Sequence, residues 1–350
     1  MTAAIAVGEH PIGEGHPAYI VAEMSANHCQ SFEHAVQIIK AAKEAGADAV
    51  KLQTYTPDTL TINCRNAPFR LAQGTLWEGR YLYELYGEAH MPWDWQPKLK
   101  VIANDLRLDL FSTPFDASAV DFLEAMDAPA HKIASFELVD LALIRKVAQT
   151  GKPVIMSTGM ASLADIDEAV RAFRDAGGVQ LALLKCTSAY PAPPEEMNLR
   201  TIPHLAEAFG TPVGLSDHTL GVAVPVAAVA LGACIIEKHF TLSRADEGPD
   251  SAFSLEPHEF LAMVEAVRTV EKALGRVSYD VTEKERASSV FRRSLFVIHD
   301  MKAGELFTDQ NVRSIRPGHG LPPKCFADVA GRKAVRDIQR GTPLKWELIA

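Results

Sequence analysis

Eight short runs of apolar and β-branched residues recur along this chain, with helix-patterned segments between them. The runs are YIVAEMS (19–25), AVKLQTY (49–55), DLFSTP (109–114), AHKIAS (130–135), PVIMSTG (153–159), LALLKCT (181–187), PVGLSDHT (212–219) and CIIEKHFT (234–241). Strands this apolar are covered on both faces, as in a parallel sheet, and parallel neighbours need a crossover element between them. Helix punctuation supplies the crossovers. Ser31 opens a patterned stretch that Gly46 stops, Asp140 opens LALIRKVAQ before Gly151, and Ser162 with Asp165 forms a capping box ahead of a helix ending at Gly177. Eight such units predict an α/β fold of the (β/α)8 TIM-barrel class, with its last helix over 257–275.

The 350 residues exceed the roughly 250 that such a barrel uses, so a small second core is expected. The pattern changes after Gly275: a polar stretch over 276–290 reads as a linker, and short alternating runs with turn signals over 291–350 read as a small β-rich domain. Residues 1–275 are then the catalytic barrel. Between the second and third runs lies an insertion with the aromatic, acidic stretch 77–95. Loops on that end of a barrel build the active-site face, so the insertion is expected over the substrate pocket, with a hairpin that serves packing alone as the alternative.

A net charge of −9 argues against nucleic acid or an anionic membrane as the partner. The longest apolar run, 222–236, is broken by Pro225 and Gly232 and is too short to span a bilayer. Five scattered cysteines without CxxC spacing read as reduced thiols, and a cytoplasmic location is expected.

In this fold the carboxyl ends of the strands carry the chemistry. His218 follows the seventh run and His239 the eighth, so two imidazoles from adjacent strands could share one divalent metal; each alone is more often a hydrogen-bonded structural histidine. Polar or ionisable groups end every run, among them Glu23, Lys51, Gln53, Thr113, Lys132, Ser135, Glu137, Ser157 and Ser216. A ring of buried lysines is costly unless it meets an anion, so Lys51 and Lys132 with the hydroxyls suit a small phosphorylated acid. A Schiff-base aldolase is the alternative for a barrel lysine, and it has no use for the histidine pair. By strand alternation Asp217 faces away from His218, whereas Glu237 shares the face of His239.

EMSANH (23–28), GADAVKLQTY (46–55), FSTPFD (111–116), STGM (157–160), CTSAYP (186–191), GLSDHT (214–219), EKHFT (237–241), GPD (248–250) and RPGHG (316–320) stand in one order along the chain. In these motifs the sequence resembles the sialic acid synthases, which condense phosphoenolpyruvate with an amino sugar, and its end resembles their antifreeze-like (SAF) domain. The resemblance implies a divalent metal, Mn2+ or Mg2+, on His218 and His239, with Glu23, Lys51, Lys132 and Glu137 as catalytic residues. It implies substrate contacts from Gln53, Thr113, Ser135, Ser157, Ser188, Tyr190, Ser216 and Asp250. Arg316 would enter the partner's site across a domain-swapped homodimer. LYELYGEAHMPWDW (82–95), KLQTYTPDTLT (51–61) and GPDSAFSLEP (248–257) resemble the branch that makes pseudaminic acid from 2,4-diacetamido-2,4,6-trideoxy-L-altrose. Ser188 and Ser251 depart from the N-acetylneuraminate branch, which carries asparagine and histidine at those motif positions. N-acetylneuraminate and legionaminate synthesis remain the alternatives within the family, and a non-enzymatic sugar- or ice-binding protein the alternative outside it.

Overall fold

The computed structural model of the protein describes residues 4–71, 77–246 and 248–350 and divides into two compact units, Met1–Gly275 and Arg276–Ala350. In the first, eight parallel strands close into a barrel: β1 Tyr19–Glu23, β2 Ala49–Thr54, β3 Asp109–Pro114, β4 His131–Ile133, β5 Val154–Ser157, β6 Leu181–Cys186, β7 Val213–Asp217 and β8 Ile235–His239. Each pairs with the next, and β8 returns to β1, where Ile235 stands opposite Tyr19 and His239 opposite Glu23. Every strand falls within one of the eight runs read from the sequence.

The helices begin where capping chemistry allows. Ser31 accepts a hydrogen bond from the His34 amide and starts Phe32–Glu44, Asp140 accepts from Ala142 and Leu143, and Ser162 with Asp165 completes a capping box before Leu163–Asp175. The last barrel helix is Pro257–Leu274. Faces such as Ala35, Ile38, Ile39 and Ala42 then cover the outward residues of the strands, Ile20, Val50, Leu110, Met156, Leu183, Leu215 and Ile236 among them.

The inward residues alternate with these and form a second core. Val21, Ala49, Phe111, Ile155, Leu184 and Ile235 meet Ile5, Val7 and Ile12 of a hairpin formed by Ile5–Val7 and His10–Ile12. That hairpin, which the reading of the sequence did not include, floors the barrel; its three-residue strands are too short to give a periodic signal. Two residues further along each strand the same inward row turns polar: Glu23, Lys51, Thr113, Ser157, Cys186 and Glu237. An apolar floor under an ionisable upper layer therefore follows from the two-residue period of the strand alone.

In the second unit a short helix, Glu283–Ser288, lies within the stretch read as a linker. β9 Ser294–Val297 pairs antiparallel with β10 Val312–Ile315, and isolated bridges such as Met301 to Ile338 and Ala334 to Ile349 complete the weave. Leu295, Val297, Phe307, Val312, Ile338 and Leu344 make its own core. Among the described residues no helix is long and apolar enough to cross a membrane.

Candidate functional site

The upper inward layer gathers two lysines and two glutamates in one buried cluster. Lys51 Nζ lies 2.6 Å from Glu23 Oε2 and 3.7 Å from Glu237 Oε1, and Lys132 Nζ lies 3.7 Å from that same Glu237 oxygen. Lys132 also donates to Ser157 Oγ at 2.7 Å, Lys51 to Thr113 Oγ1 at 3.4 Å, and Ser216 to Glu237 at 3.2 Å. Burial pushes Glu23 up to about 7 against the pull of Lys51, while Glu237, equally buried, is held below its ordinary value by Lys132 and Lys51. Burial lowers Lys132; it acts on Lys51 the same way, but Glu23 and Glu237 outweigh it and keep that ammonium charged. Glu237 is thus the common counter-ion of both lysines, and among the described residues its Oε2 has no hydrogen-bond partner.

Beside this cluster the two histidines meet. Their ring centroids are 5.4 Å apart, and Tyr190 lies against both, 4.4 Å from His218 and 6.3 Å from His239. The close approach of β7 and β8 that brings them together depends on Gly214, where a Cβ would stand 2.4 Å from the Ile235 carbonyl oxygen. His218 Nδ1 donates to the Thr187 carbonyl at 2.9 Å, a tautomer that leaves its Nε2 lone pair free. His239 is buried with Nδ1 unpartnered, and burial holds its pKa far down, so it stays neutral. A divalent ion fits this pair. Among the described residues no group of three or more His, Cys, Asp or Glu is gathered to hold one, so the remaining positions would fall to substrate and water.

Hydroxyls line the opposite side. Gly159 donates its backbone N–H to Ser135 Oγ at 3.1 Å, and a Cβ there would lie 2.3 Å from Ser188 Oγ and 2.7 Å from Ser135 Oγ. With glycine there, both hydroxyls converge on that backbone. Glu137, on the 3-10 turn Ser135–Glu137, has an unpartnered Oε2, and burial raises it to about 7 despite the opposing effect of Lys132. Gln53 donates to Glu23 Oε1 at 3.0 Å, and Asp250, half-buried in the loop after β8, has its Oδ2 2.5 Å from Ser25 Oγ.

All the barrel residues expected at the site therefore lie at the carboxyl end of the strands. Arg316 is exposed and belongs to the second unit, directly after β10. The insertion reaches the mouth: Trp77 lies 6.1 Å from Tyr190 and donates its indole N–H to the Pro249 carbonyl at 3.2 Å, while Tyr55 and Tyr86 are 5.7 Å apart. Residues 72–76 of that insertion lie outside the described residues. The sequence reading missed Phe253, packed on Tyr190 and His239 at 5.0 and 4.9 Å, and Cys186, whose Sγ is 3.9 Å from His218 Nδ1. Cys186 was legible as an inward position of β6; nothing in the sequence marks Phe253.

Asp217 and Lys238 take the other face, paired with each other between barrel and helices, with Asp217 also accepting from the Thr219 amide and hydroxyl. Both carboxylate oxygens are satisfied there.

Comparison with known proteins gives the same frame. Residues 38–279 match the NeuB family and residues 292–350 the SAF domain. The chain is 47% identical to the pseudaminic acid synthase of Campylobacter jejuni over 327 residues, covering 93% of this chain and 95% of that protein. It is 46% identical to the pseudaminic acid synthase of Helicobacter pylori, covering 94% and 96%. The crystal structure of the spore coat polysaccharide biosynthesis protein SpsE of Bacillus subtilis superposes with a TM-score of 0.68 at 34% identity, covering 99% of both chains.

Proposed function

We propose that this chain, which belongs to the NeuB family, condenses phosphoenolpyruvate with 2,4-diacetamido-2,4,6-trideoxy-L-altrose and water to give pseudaminic acid and phosphate. The observation that carries this reading is the pair of buried lysines sharing Glu237, set beside two histidines and a cradle of hydroxyls.

The C3 carbon of phosphoenolpyruvate attacks the aldehyde carbon of the open-chain sugar, and the aldehyde oxygen takes up a proton. Positive charge develops at C2, where water adds; the resulting tetrahedral carbon releases phosphate by C–O cleavage and leaves a keto group. Lys51 and Lys132 hold the phosphate and carboxylate, and the hydroxyls of Thr113, Ser135, Ser157, Ser188 and Ser216 fix their oxygens. Glu137, poised near 7, takes the proton that the attacking water gives up. Gln53, Tyr190 and Asp250 contact the sugar, and Glu23 is placed to hold a proton near the aldehyde oxygen. A divalent ion, Mn2+ or Mg2+, held by His218 and His239 supplies Lewis acidity toward that oxygen when bound.

Charge balance supports the need for such an ion. With Glu23 holding a proton, Glu237 still cancels one of the two lysines, so a trianionic substrate needs further positive charge. Arg316 is a second source. The tail, 276–350, holds 14 Lys and Arg against 9 Asp and Glu, a net charge of +5 that leaves −14 on the rest of the chain. Such opposed signs are compatible with the homodimer that the family resemblance implies, in which each tail would cover its partner's barrel mouth. Co-expressed Arg316→Ala and His218→Ala chains are then expected to recover roughly a quarter of wild-type activity, because half of the random dimers hold one intact site. Mixed dimers no more active than either variant alone would mean that Arg316 does not act in trans. Five free cysteines support a reducing, cytoplasmic setting for the reaction.

The deciding test is phosphate release from phosphoenolpyruvate across a panel of amino sugars. Higher kcat/KM for the 2,4-diacetamido-2,4,6-trideoxy-L-altrose than for N-acetylmannosamine or the legionaminate precursor is expected; the reverse order would assign the chain to another branch.

A further inference from the structure

The turn after β1, Ser25–His28, opens on a residue in an unfavourable conformation. Ser25 has φ +46, in the left-handed region that glycine occupies without cost and other residues occupy reluctantly, and it is buried at 6% exposure. Its hydroxyl sits in the middle of a one-way chain of hydrogen bonds. Gln53 Nε2 donates to Ser25 Oγ at 2.8 Å, and Ser25 Oγ donates to Asp250 Oδ2 at 2.5 Å. The same Gln53 nitrogen donates to Glu23 Oε1 at 3.0 Å. Lys51, at 2.6 Å from the other Glu23 oxygen, anchors the far end.

The backbone of the Asp250 loop is held by other groups. Asn27 Nδ2 donates to the Phe240 carbonyl and to Ser254 Oγ, Ser254 donates to the Asp250 carbonyl, and Ser251 donates to Asn27 Oδ1. The Asp250 carboxylate is addressed only by Ser25 and the Ala26 amide, both at Oδ2, so among the described residues Oδ1 has no protein donor. Asn27 places the loop, and Ser25 aims its carboxylate.

We propose that Ser25 is a positioning residue of the condensation: its hydroxyl ties the Gln53 amide to the Asp250 carboxylate and fixes both toward the amino sugar. The inference rests on the reading of this pocket as an amino-sugar site. A serine here accepts backbone strain that glycine would avoid, and the hydroxyl is what the strain sustains.

The backbone makes the test discriminating, because Ser25→Gly removes the hydroxyl and relieves the strain together. Ser25→Gly is expected to melt at or above the wild-type temperature, yet to lose about tenfold in kcat/KM for the sugar, with KM for phosphoenolpyruvate within twofold. Ser25→Ala, which keeps the strain, is expected to show the same kinetic defect at a lower melting temperature. In an Asp250→Asn background the further loss from Ser25→Gly is expected to shrink below threefold. Sugar kinetics of Ser25→Gly within twofold of wild type, or losses that multiply independently with Asp250→Asn, would overturn the proposal. A wild-type enzyme that releases no phosphate with any amino sugar would instead overturn the reading of the pocket on which it rests.

Discussion

Strand β8 carries buried charge on two faces, Glu237 inward and Lys238 outward against Asp217 of β7, and the faces differ in one respect. Outward, Asp217 and Lys238 form a closed pair: the carboxylate accepts from Lys238, the Thr219 amide and the Thr219 hydroxyl, and the ammonium also donates to the Thr219 carbonyl. Inward, among the described residues, Glu237 leaves Oε2 bare, His239 leaves Nδ1 bare, and nearby Glu137 leaves its own Oε2 bare. Buried polar atoms without partners are rare in native proteins because each costs free energy. Bare atoms also occur elsewhere among the described residues, as at His131 and Thr211, but those on the inward face line the site one residue away from a fully satisfied pair, which separates polar groups open to a ligand from polar groups that hold the wall together.

The comparison is broken most forcefully on the inward side. His218→Ala or His239→Ala is expected to lower turnover by about a thousandfold while circular dichroism and melting temperature stay near wild type, since no spare protein ligand stands in for either imidazole. Wild-type enzyme treated with a chelator is expected to lose activity and regain it with Mn2+ or Mg2+. Turnover and metal requirement unchanged in either variant would remove the assignment of the pair.

On the outward side the effect moves from rate to stability. Asp217→Ala leaves Lys238 buried without its counter-ion and is expected to cost about 3–5 kcal/mol in denaturant unfolding. The double variant Asp217→Leu, Lys238→Met is expected to recover most of that loss, because a packed apolar pair replaces a desolvated ionic one. Molecules that remain folded should turn over near the wild-type rate; a folded Asp217→Ala enzyme slowed a hundredfold would erase the distinction between the faces.

Glu137 sharpens the contrast with a smaller effect of both kinds. Its carboxyl is raised to about 7, above its unfolded value, so it favours the folded state fully only below about pH 4 and destabilises it as pH rises through 7. Glu137→Gln is therefore expected to raise the melting temperature at pH 8 and leave it unchanged at pH 4. Turnover is expected to fall about 10–100-fold, and the ionisation near 7 should vanish from the pH–rate profile. A profile that keeps this limb would assign the proton transfer to another group.

The order of residues was enough to set out the eight-strand barrel, the helix caps at Ser31, Asp140 and Ser162, and the strand-end positions of Glu23, Lys51, Lys132, Ser157, Ser216, His218, Glu237 and His239. These depend on periodicities of about 2 and 3.6 residues and on local capping chemistry, which act over a few neighbours and leave their mark in the order of residues. It also separated Asp217 from His218, since adjacent strand residues take opposite faces. Which inward groups share a counter-ion is settled in the folded barrel. Lys51 and Lys132 stand 81 positions apart, and their common Glu237 lies on a strand that neighbours neither. Ser25 shows the same limit in a turn: its neighbours in sequence explain neither the left-handed backbone nor the contact with Asp250, 225 positions away. Closure of the barrel brings such residues together, and closure is a property of the whole sheet rather than of any segment in it.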